Sequence, residues 1–139
     1  MEKLPKINII YEDNHLLVVE KPVNIPVQED KSKDIDMITI LKKYRIKKEN
    51  KDKDAYIGLV HRLDRPVGGI MVFAKTSKAA SRLSEEIRNN TFHKTYLAVI
   101  EGTMPKEGKL EDYIIKDKNK NISYITTKEK GKYSKAEYF

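Results

Sequence analysis

The sequence has 139 residues, enough for one domain or part of one, and 35% of them are charged. Its formal net charge of +7 favours a polyanionic partner such as nucleic acid, although a lysine-rich proteome gives the same balance. Because the chain lacks cysteine, closely spaced histidines and any apolar run approaching 18 residues, we expect no disulfide, metal site or membrane span, and a cytoplasmic location.

The N-terminal third predicts a hairpin followed by a helix. Residues 7–11 and 15–20 are short apolar runs on either side of a polar turn, which is typical of two paired strands. Two prolines then interrupt regular structure. Between residues 36 and 47 apolar side chains recur at helical spacing, with Asp34 or Asp36 as the candidate N-cap.

The central stretch, residues 59–75, predicts two apolar strands joined by a charged turn. Side chains alternate along an extended chain, so Arg62 and Asp64 should share one face and His61 and Leu63 the other. Arg62 should then pair with Asp64 and keep its carboxylate ionised. A plain ion pair at a strand end gives the same pattern, so the pattern alone does not establish a catalytic site. The two strands are predicted at 58–61 and 70–74.

A second helix is predicted after this stretch, with Thr76 or Ser77 as its N-cap and two asparagines at its end. Its apolar residues form a single stripe, which indicates core packing rather than a cofactor site. Its outer face carries three basic residues, Lys78, Arg82 and Arg88.

The remaining chain predicts strands separated by polar turns. Residues 94–101 are expected to form a strand whose alternate side chains point to opposite faces, with Leu97 and Val99 on one face and Tyr96 on the other. Further apolar runs follow at 110–115, 122–127 and 136–139. Together with the two helices, these elements predict an α+β fold with a mixed, mainly antiparallel sheet and flanking helices.

Three motifs, in this order, resemble those of the RluA-type pseudouridine synthases, enzymes that isomerise uridine within RNA. The first runs through residues 11–27 and contains Lys21 followed by proline. The second is the His-Arg-Leu-Asp sequence at 61–64, and the third is Lys-Thr-Tyr at 94–96. Many family members have Thr-Ser where this chain has Val67-Gly68, so a hydroxyl contact from that position is not expected here. The resemblance covers nearly all of the chain.

The resemblance also implies a particular domain organisation. Members of the family continue beyond the position of Phe139 and carry there a His-Gln-Ile-Arg type motif whose arginine supports the catalytic aspartate. Residues 1–139 are therefore expected to be the N-terminal portion of a pseudouridine synthase catalytic domain, truncated at its C-terminus and without a separate S4-like domain.

Seven residues receive roles from the resemblance. Asp64 is the candidate catalytic carboxylate, as a nucleophile toward the ribose or the base or as the acceptor of a proton from the sugar. Tyr96 is the candidate ring that stacks on the flipped uracil. Arg62 either orients Asp64 or fills the place of the flipped base in the RNA. Phosphate contacts are expected from Arg65, Lys94 and Lys21, and His61 is expected either to contact the RNA backbone or to be a packed residue.

Two functions stay open at this point. One is a monomeric RNA pseudouridine synthase that acts on ribosomal or transfer RNA without a metal or cofactor; the other is a non-catalytic RNA-binding module formed by this fragment. A glycoside hydrolase is disfavoured because it needs two carboxylates across the scissile bond and the central stretch supplies one. A P-loop enzyme is excluded because Gly68 and Gly69 lead into a strand rather than a helix.

Overall fold

A computed structural model describes residues 4–50 and 54–139. The chain divides into two compact units, Met1–Lys94 and Thr95–Phe139, and each contains an antiparallel sheet. With two helices in the first unit, the α+β prediction is confirmed. Within these residues, neither helix is long and apolar enough to cross a membrane, and no three acidic or histidine side chains are grouped so that they could hold a metal ion.

The first unit is built on a four-stranded sheet with the order β1-β2-β4-β3. β1 (Asn8–Glu12) and β2 (Leu16–Lys21) form the predicted hairpin, and β4 (Gly69–Ala74) pairs with the whole length of β2. β3 (Gly58–Leu59) pairs with the last two residues of β4 and is two residues shorter than predicted. Every neighbouring pair is antiparallel, so the charged turn between β3 and β4 lies beyond one end of the β2–β4 pair.

Both predicted helices form, and each begins at a predicted cap. α1 (Met37–Lys48) follows Asp36, whose carboxylate accepts hydrogen bonds from the amide of Thr39 at 3.1 Å and from its hydroxyl at 2.7 Å. α2 (Ser77–Arg88) follows Thr76, whose hydroxyl oxygen accepts from the amide of Ala79 at 3.2 Å. These bonds satisfy amides that have no partner within the helix itself.

The hydrophobic core of the first unit joins the sheet to α1. Alternate residues of β2 and β4 are fully buried, and they pack with apolar residues of α1. Each buried side chain of this size contributes roughly 1.5–3 kcal/mol to folding. This packing fixes β2 and β4, and with them the ends of the loops that these strands connect. The core includes Leu17, Val19, Met71 and Phe73 from the strands and Met37 and Leu41 from the helix.

The second unit is a three-stranded sheet with β5 (Gly108–Asp117) between β6 (Ile122–Thr126) and β7 (Lys132–Tyr138). The three strands were predicted: β5 and β7 are longer than their predicted ranges, and β6 is one residue shorter. Residues 95–139 are all described, and none of them is buried.

The strand predicted at 94–101 is not formed. Leu97 and Val99 are fully exposed, at 106% and 104% of the reference area, and no described strand pairs with this segment. An apolar run of this length favours a strand, but a strand also needs a neighbour that accepts and donates its main-chain hydrogen bonds. Within residues 4–50 and 54–139 this segment has none.

Candidate functional site

The turn between β3 and β4 presents Asp64 to solvent. The carbonyl of Asp64 accepts a hydrogen bond from the amide of Val67 at 2.9 Å, which closes the turn. The residues before it are not a strand, yet their burial alternates as predicted: His61 and Leu63 are half-buried, whereas Arg62 and Asp64 are exposed. The carboxylate is thus accessible, as a catalytic role requires.

Two glycines let the loop after β2 lie directly against this turn. A Cβ atom at Gly68 would lie 3.2 Å from Cγ1 of Val23 and 3.3 Å from the carbonyl oxygen of Lys21. Gly69 has a φ of +148°, a backbone conformation that other residues rarely adopt. The first sequence motif is therefore in contact with the turn that follows the second motif, at the start of β4.

Lys21 is buried, and hydrogen bonds from its ammonium group hold the same turn in place. Its relative exposure is 1%, and its Nζ donates hydrogen bonds to the carbonyl oxygens of Pro22 at 2.9 Å, Ile25 at 2.8 Å and Arg65 at 3.1 Å. Burial, and next to it the charge of Arg65, lowers the pKa of this ammonium group. An ammonium has three donors, and all three are used within the protein. These bonds correct the predicted phosphate contact of Lys21, because none of its N–H groups is left for RNA.

The predicted ion pair between Arg62 and Asp64 is wrong. Nη1 of Arg62 instead donates to Oε1 of Gln28 at 3.4 Å, a long hydrogen bond. Within the described part of the chain, the carboxylate of Asp64 has neither a hydrogen-bond donor nor an ion-pair partner. Both of its oxygens are consequently available to a substrate.

Arg65 is held by the segment 30–34 on the other side of the turn. Its Nη2 donates to Oδ2 of Asp34 at 2.5 Å, and its Nη1 donates to the hydroxyl of Ser32 at 3.0 Å. The same Nη1 lies 3.7 Å from Oδ2 of Asp30. Hydrogen bonds from Arg65 and from Ser32 lower the pKa of Asp34. No sequence pattern indicated these partners, since an aspartate in a polar loop shows nothing about an arginine 31 residues further on.

His61 makes contacts of a packed residue. Its Nε2 accepts a hydrogen bond from the amide of Val72 at 3.1 Å, so the imidazole is neutral with its proton on Nδ1. Its ring lies 5.4 Å from that of Phe92, centroid to centroid. Burial, followed by the charge of Lys94, lowers the pKa of this histidine. Lys94 itself is exposed, as a contact to an RNA backbone requires.

Tyr96 belongs to the second compact unit and lies outside its strands. Its side chain is 59% exposed. Exposure of the ring is compatible with stacking on a base, and that role stays a prediction.

Comparison with known sequences identifies related proteins over most of the chain. A family model described as RNA pseudouridylate synthase matches residues 15–139. The chain is 31% identical over 125 residues to ribosomal large subunit pseudouridine synthase C of Buchnera aphidicola subsp. Schizaphis graminum, covering 88% of this chain and 38% of that protein. It is 30% identical over 136 residues to ribosomal large subunit pseudouridine synthase D of Borreliella burgdorferi, covering 95% and 42%. The chain spans about two fifths of these curated relatives.

A solved structure shows the same fold. Human RNA Pseudouridylate Synthase Domain Containing 1 superposes with a TM-score of 0.74 at 20% sequence identity, covering 99% of this chain and 54% of that chain. At this level of identity the likeness concerns the fold.

Proposed function

The chain belongs to the RNA pseudouridylate synthase family, and on this premise we propose that it isomerises uridine to pseudouridine in RNA with Asp64 as the catalytic carboxylate. One observation carries the proposal. Asp64 is exposed on a turn whose main chain is fixed by the bonds of Lys21 and Val67, while its own carboxylate has no partner among the described residues. A carboxylate that is held in place and left unpaired is available for chemistry on a substrate.

The reaction requires one accessible, ionised carboxylate close to the sugar. The bond from C1′ to N1 of the uridine breaks, the base turns, and a bond from C1′ to C5 forms while the proton on C5 is lost and N1 gains one. Reactant and product are isomers, so no oxidant or reductant is consumed. Asp64 acts as a nucleophile toward the ribose or base, or as the acceptor of a sugar proton, and both roles need the same position.

The uridine must leave its stack before Asp64 can reach it, at a cost of a few kcal/mol. We assign the space that it vacates to Arg62, which is exposed two residues before Asp64 and, among the residues that the structure describes, makes only a long bond to Gln28. A planar guanidinium can stack between bases and bind phosphate. We assign stacking on the flipped uracil to Tyr96, and backbone contacts to Arg65 and Lys94.

Ribosomal RNA of the large subunit is the substrate that we propose first, ahead of transfer RNA. The relatives from Buchnera and Borreliella are named for that subunit. The net charge of +7 suits a polyanion of this kind.

The test is release of tritium from large-subunit ribosomal RNA labelled at C5 of uridine. We expect the chain to release tritium into water. The Borreliella relative, assayed beside it on the same RNA, shows that the substrate is competent. RNA binding without tritium release would contradict catalysis by this chain and would leave an RNA-binding module as its function.

Asp64→Asn tests the assignment of the carboxylate. This substitution keeps the size of the side chain and should reduce tritium release at least about 1000-fold, while the dissociation constant for RNA changes less than about two-fold. Asp54→Asn is the matched control, since Asp54 is also an exposed aspartate of the first unit. Retained turnover in Asp64→Asn would remove Asp64 from the mechanism.

A further inference from the structure

We propose that a cleft at the opposite end of the β2–β4 pair, lined by His15, Lys78 and Arg82, is a second binding site for the RNA backbone. The cleft has a volume of about 380 Å³ and an apolar floor made by Leu16 and neighbouring residues of α2. A basic rim over an apolar floor suits a phosphate and the ribose attached to it. The inference rests on the proposed function, because RNA is the ligand.

The wall of the cleft that carries His15 is fixed by the protein itself. Oδ1 of Asp13 accepts hydrogen bonds from the amides of His15 at 2.7 Å and Leu16 at 2.6 Å, and its Oδ2 accepts from the hydroxyl of Tyr11 at 2.9 Å. The amide of Lys75 donates to the carbonyl of His15 at 2.7 Å, which ties this turn to the start of α2. A site held in this way needs little ordering when a ligand binds.

Lys78 and Arg82, the two cations of α2 on the rim, form no ion pair within the described part of the chain. Asp13 also lines the cleft, and hydrogen bonds from its own turn lower the pKa of its carboxyl, but neither of its oxygens is paired with Lys78 or Arg82. Lys78 and Arg82 are exposed, lie one helical turn apart on α2, and have no ion-pair or hydrogen-bond partner among residues 4–50 and 54–139. Lys78 also lies in the first turn of the helix, where a positive charge opposes the helix dipole. Its presence there is not explained by stability of the helix.

The distance between the cleft and the turn of Asp64 suits an RNA contact some nucleotides away from the target uridine. In the ladder, Leu16 pairs with Ala74 next to the cleft, and Lys21 pairs with Gly69 next to the turn of Asp64. Five steps along a strand of this kind span roughly 17 Å. An RNA strand crosses this distance within a few nucleotides, so one bound RNA can reach both sites.

The experiment compares RNA binding by the unmodified chain, by Lys78→Gln/Arg82→Gln, and by Lys118→Gln/Lys120→Gln. The last pair removes two exposed lysines from the turn between β5 and β6 and is the control for total charge. Binding of a fluorescein-labelled stem-loop of about 20 nucleotides is measured by anisotropy over a series of salt concentrations. Thermal unfolding of each variant reports on folding, which is expected to be unchanged because the replaced side chains are exposed.

We expect the cleft variant to bind about ten-fold more weakly and its slope of log affinity against log salt to fall by about 1.5, as for two lost phosphate contacts. The control pair should change affinity by less than about two-fold. Equal losses of RNA affinity in both pairs, or an unchanged slope in the cleft variant, would overturn the proposed binding site in the cleft. The proposed function would not be affected. Failure of the unmodified chain to bind RNA would overturn both.

Discussion

The ammonium of Lys21 donates a hydrogen bond to the main-chain carbonyl of Arg65, 44 residues further along the chain, at 3.1 Å. Arg65 directly follows Asp64, so this bond joins the first motif to the turn that presents the proposed catalytic carboxylate. The two other hydrogen bonds of the Lys21 ammonium, to the carbonyl oxygens of Pro22 and Ile25, hold the loop that packs against the same turn. The position of Asp64 therefore depends on a cation that is not exposed to the substrate.

Lys21→Met should lower the free energy of unfolding by about 1–3 kcal/mol, because it leaves carbonyl oxygens without donors in a buried place while it removes the cost of burying a charge. We expect slower tritium release as the turn loosens. The slope of log RNA affinity against log salt should stay unchanged, since Lys21 touches no phosphate. Urea unfolding, the tritium-release assay and salt-dependent anisotropy measure these three results.

Lys31→Met is the control for Lys21→Met, because Lys31 is an exposed lysine on the neighbouring loop. It should leave the free energy of unfolding within about 0.5 kcal/mol of the starting value. A slope that falls by about one in Lys21→Met, with stability intact, would restore the phosphate contact that the sequence predicted.

Local features of the structure were predictable because their causes lie within a few residues. Asp36 and Thr76 cap the two helices through bonds to amides three residues ahead. The alternating burial of residues 61–64 follows from the geometry of an extended chain, even though no strand forms there. The exposure of Asp64 was predictable on the same ground.

The partners of the charged groups were not predictable, because they are distant in sequence. Lys21 ends β2 and Arg65 lies in the turn before β4, and both basic residues were expected to contact phosphate. One is buried against three carbonyl oxygens and the other is paired with an aspartate 31 residues away. Spacing along a chain does not show which loops meet. For the same reason the alternation at 94–101 predicted a strand without showing whether a neighbouring strand exists.

The stability of the fold should depend on His61 below pH 6.5. The pKa of this histidine is lowered by burial and by Lys94, and its Nε2 accepts the amide proton of Val72 only when neutral. As the pH falls, His61 binds a proton more readily in the unfolded chain than in the folded chain. The free energy of unfolding therefore decreases below pH 6.5. His61→Gln keeps an acceptor at this position but does not titrate, and its stability should fall less between pH 7 and pH 5.

Urea unfolding across this pH range measures the effect, with His93→Gln as the control because His93 is exposed. That variant should lose stability in parallel with the unmodified chain. If His61→Gln loses as much stability as the unmodified chain, His61 is not the titrating group. The NMR titration of the His61 ring should give a midpoint below 6.5 in agreement.

Glu12 should stabilise the first unit down to acid pH. Its carboxylate is nearly buried and lies 2.7 Å from Nζ of Lys48, from Nζ of Lys75 and from the hydroxyl of Tyr44. Burial raises its pKa, but the hydrogen bonds from these three groups outweigh burial and lower the pKa to about 2 from an ordinary 4.5. The resulting stability is complete above pH 4.5 and is lost as the pH falls toward 2.

Glu12→Gln should therefore cost on the order of 3 kcal/mol at pH 7 and progressively less below pH 4.5. Guanidinium unfolding at pH 7, 5, 4 and 3 gives the difference at each pH. Glu101→Gln, at an exposed glutamate, should show no such dependence. A difference that is the same at pH 7 and pH 3 would contradict the assigned pKa.

The ion pair between Arg65 and Asp34 should oppose RNA binding. A phosphate that binds Arg65 must compete with the carboxylate of Asp34, 2.5 Å from Nη2, and with Asp30 beside it. An ion pair this exposed is weak, so Asp34→Asn should raise RNA affinity by no more than a few-fold. Asp54→Asn removes an equal charge from another exposed aspartate that pairs with Lys42. Anisotropy with the same stem-loop, measured for both variants, separates the effect of the ion pair from that of total charge. A gain in Asp34→Asn that Asp54→Asn equals would reflect total charge alone, and a loss would mean that Asp34 holds Arg65 in its binding position.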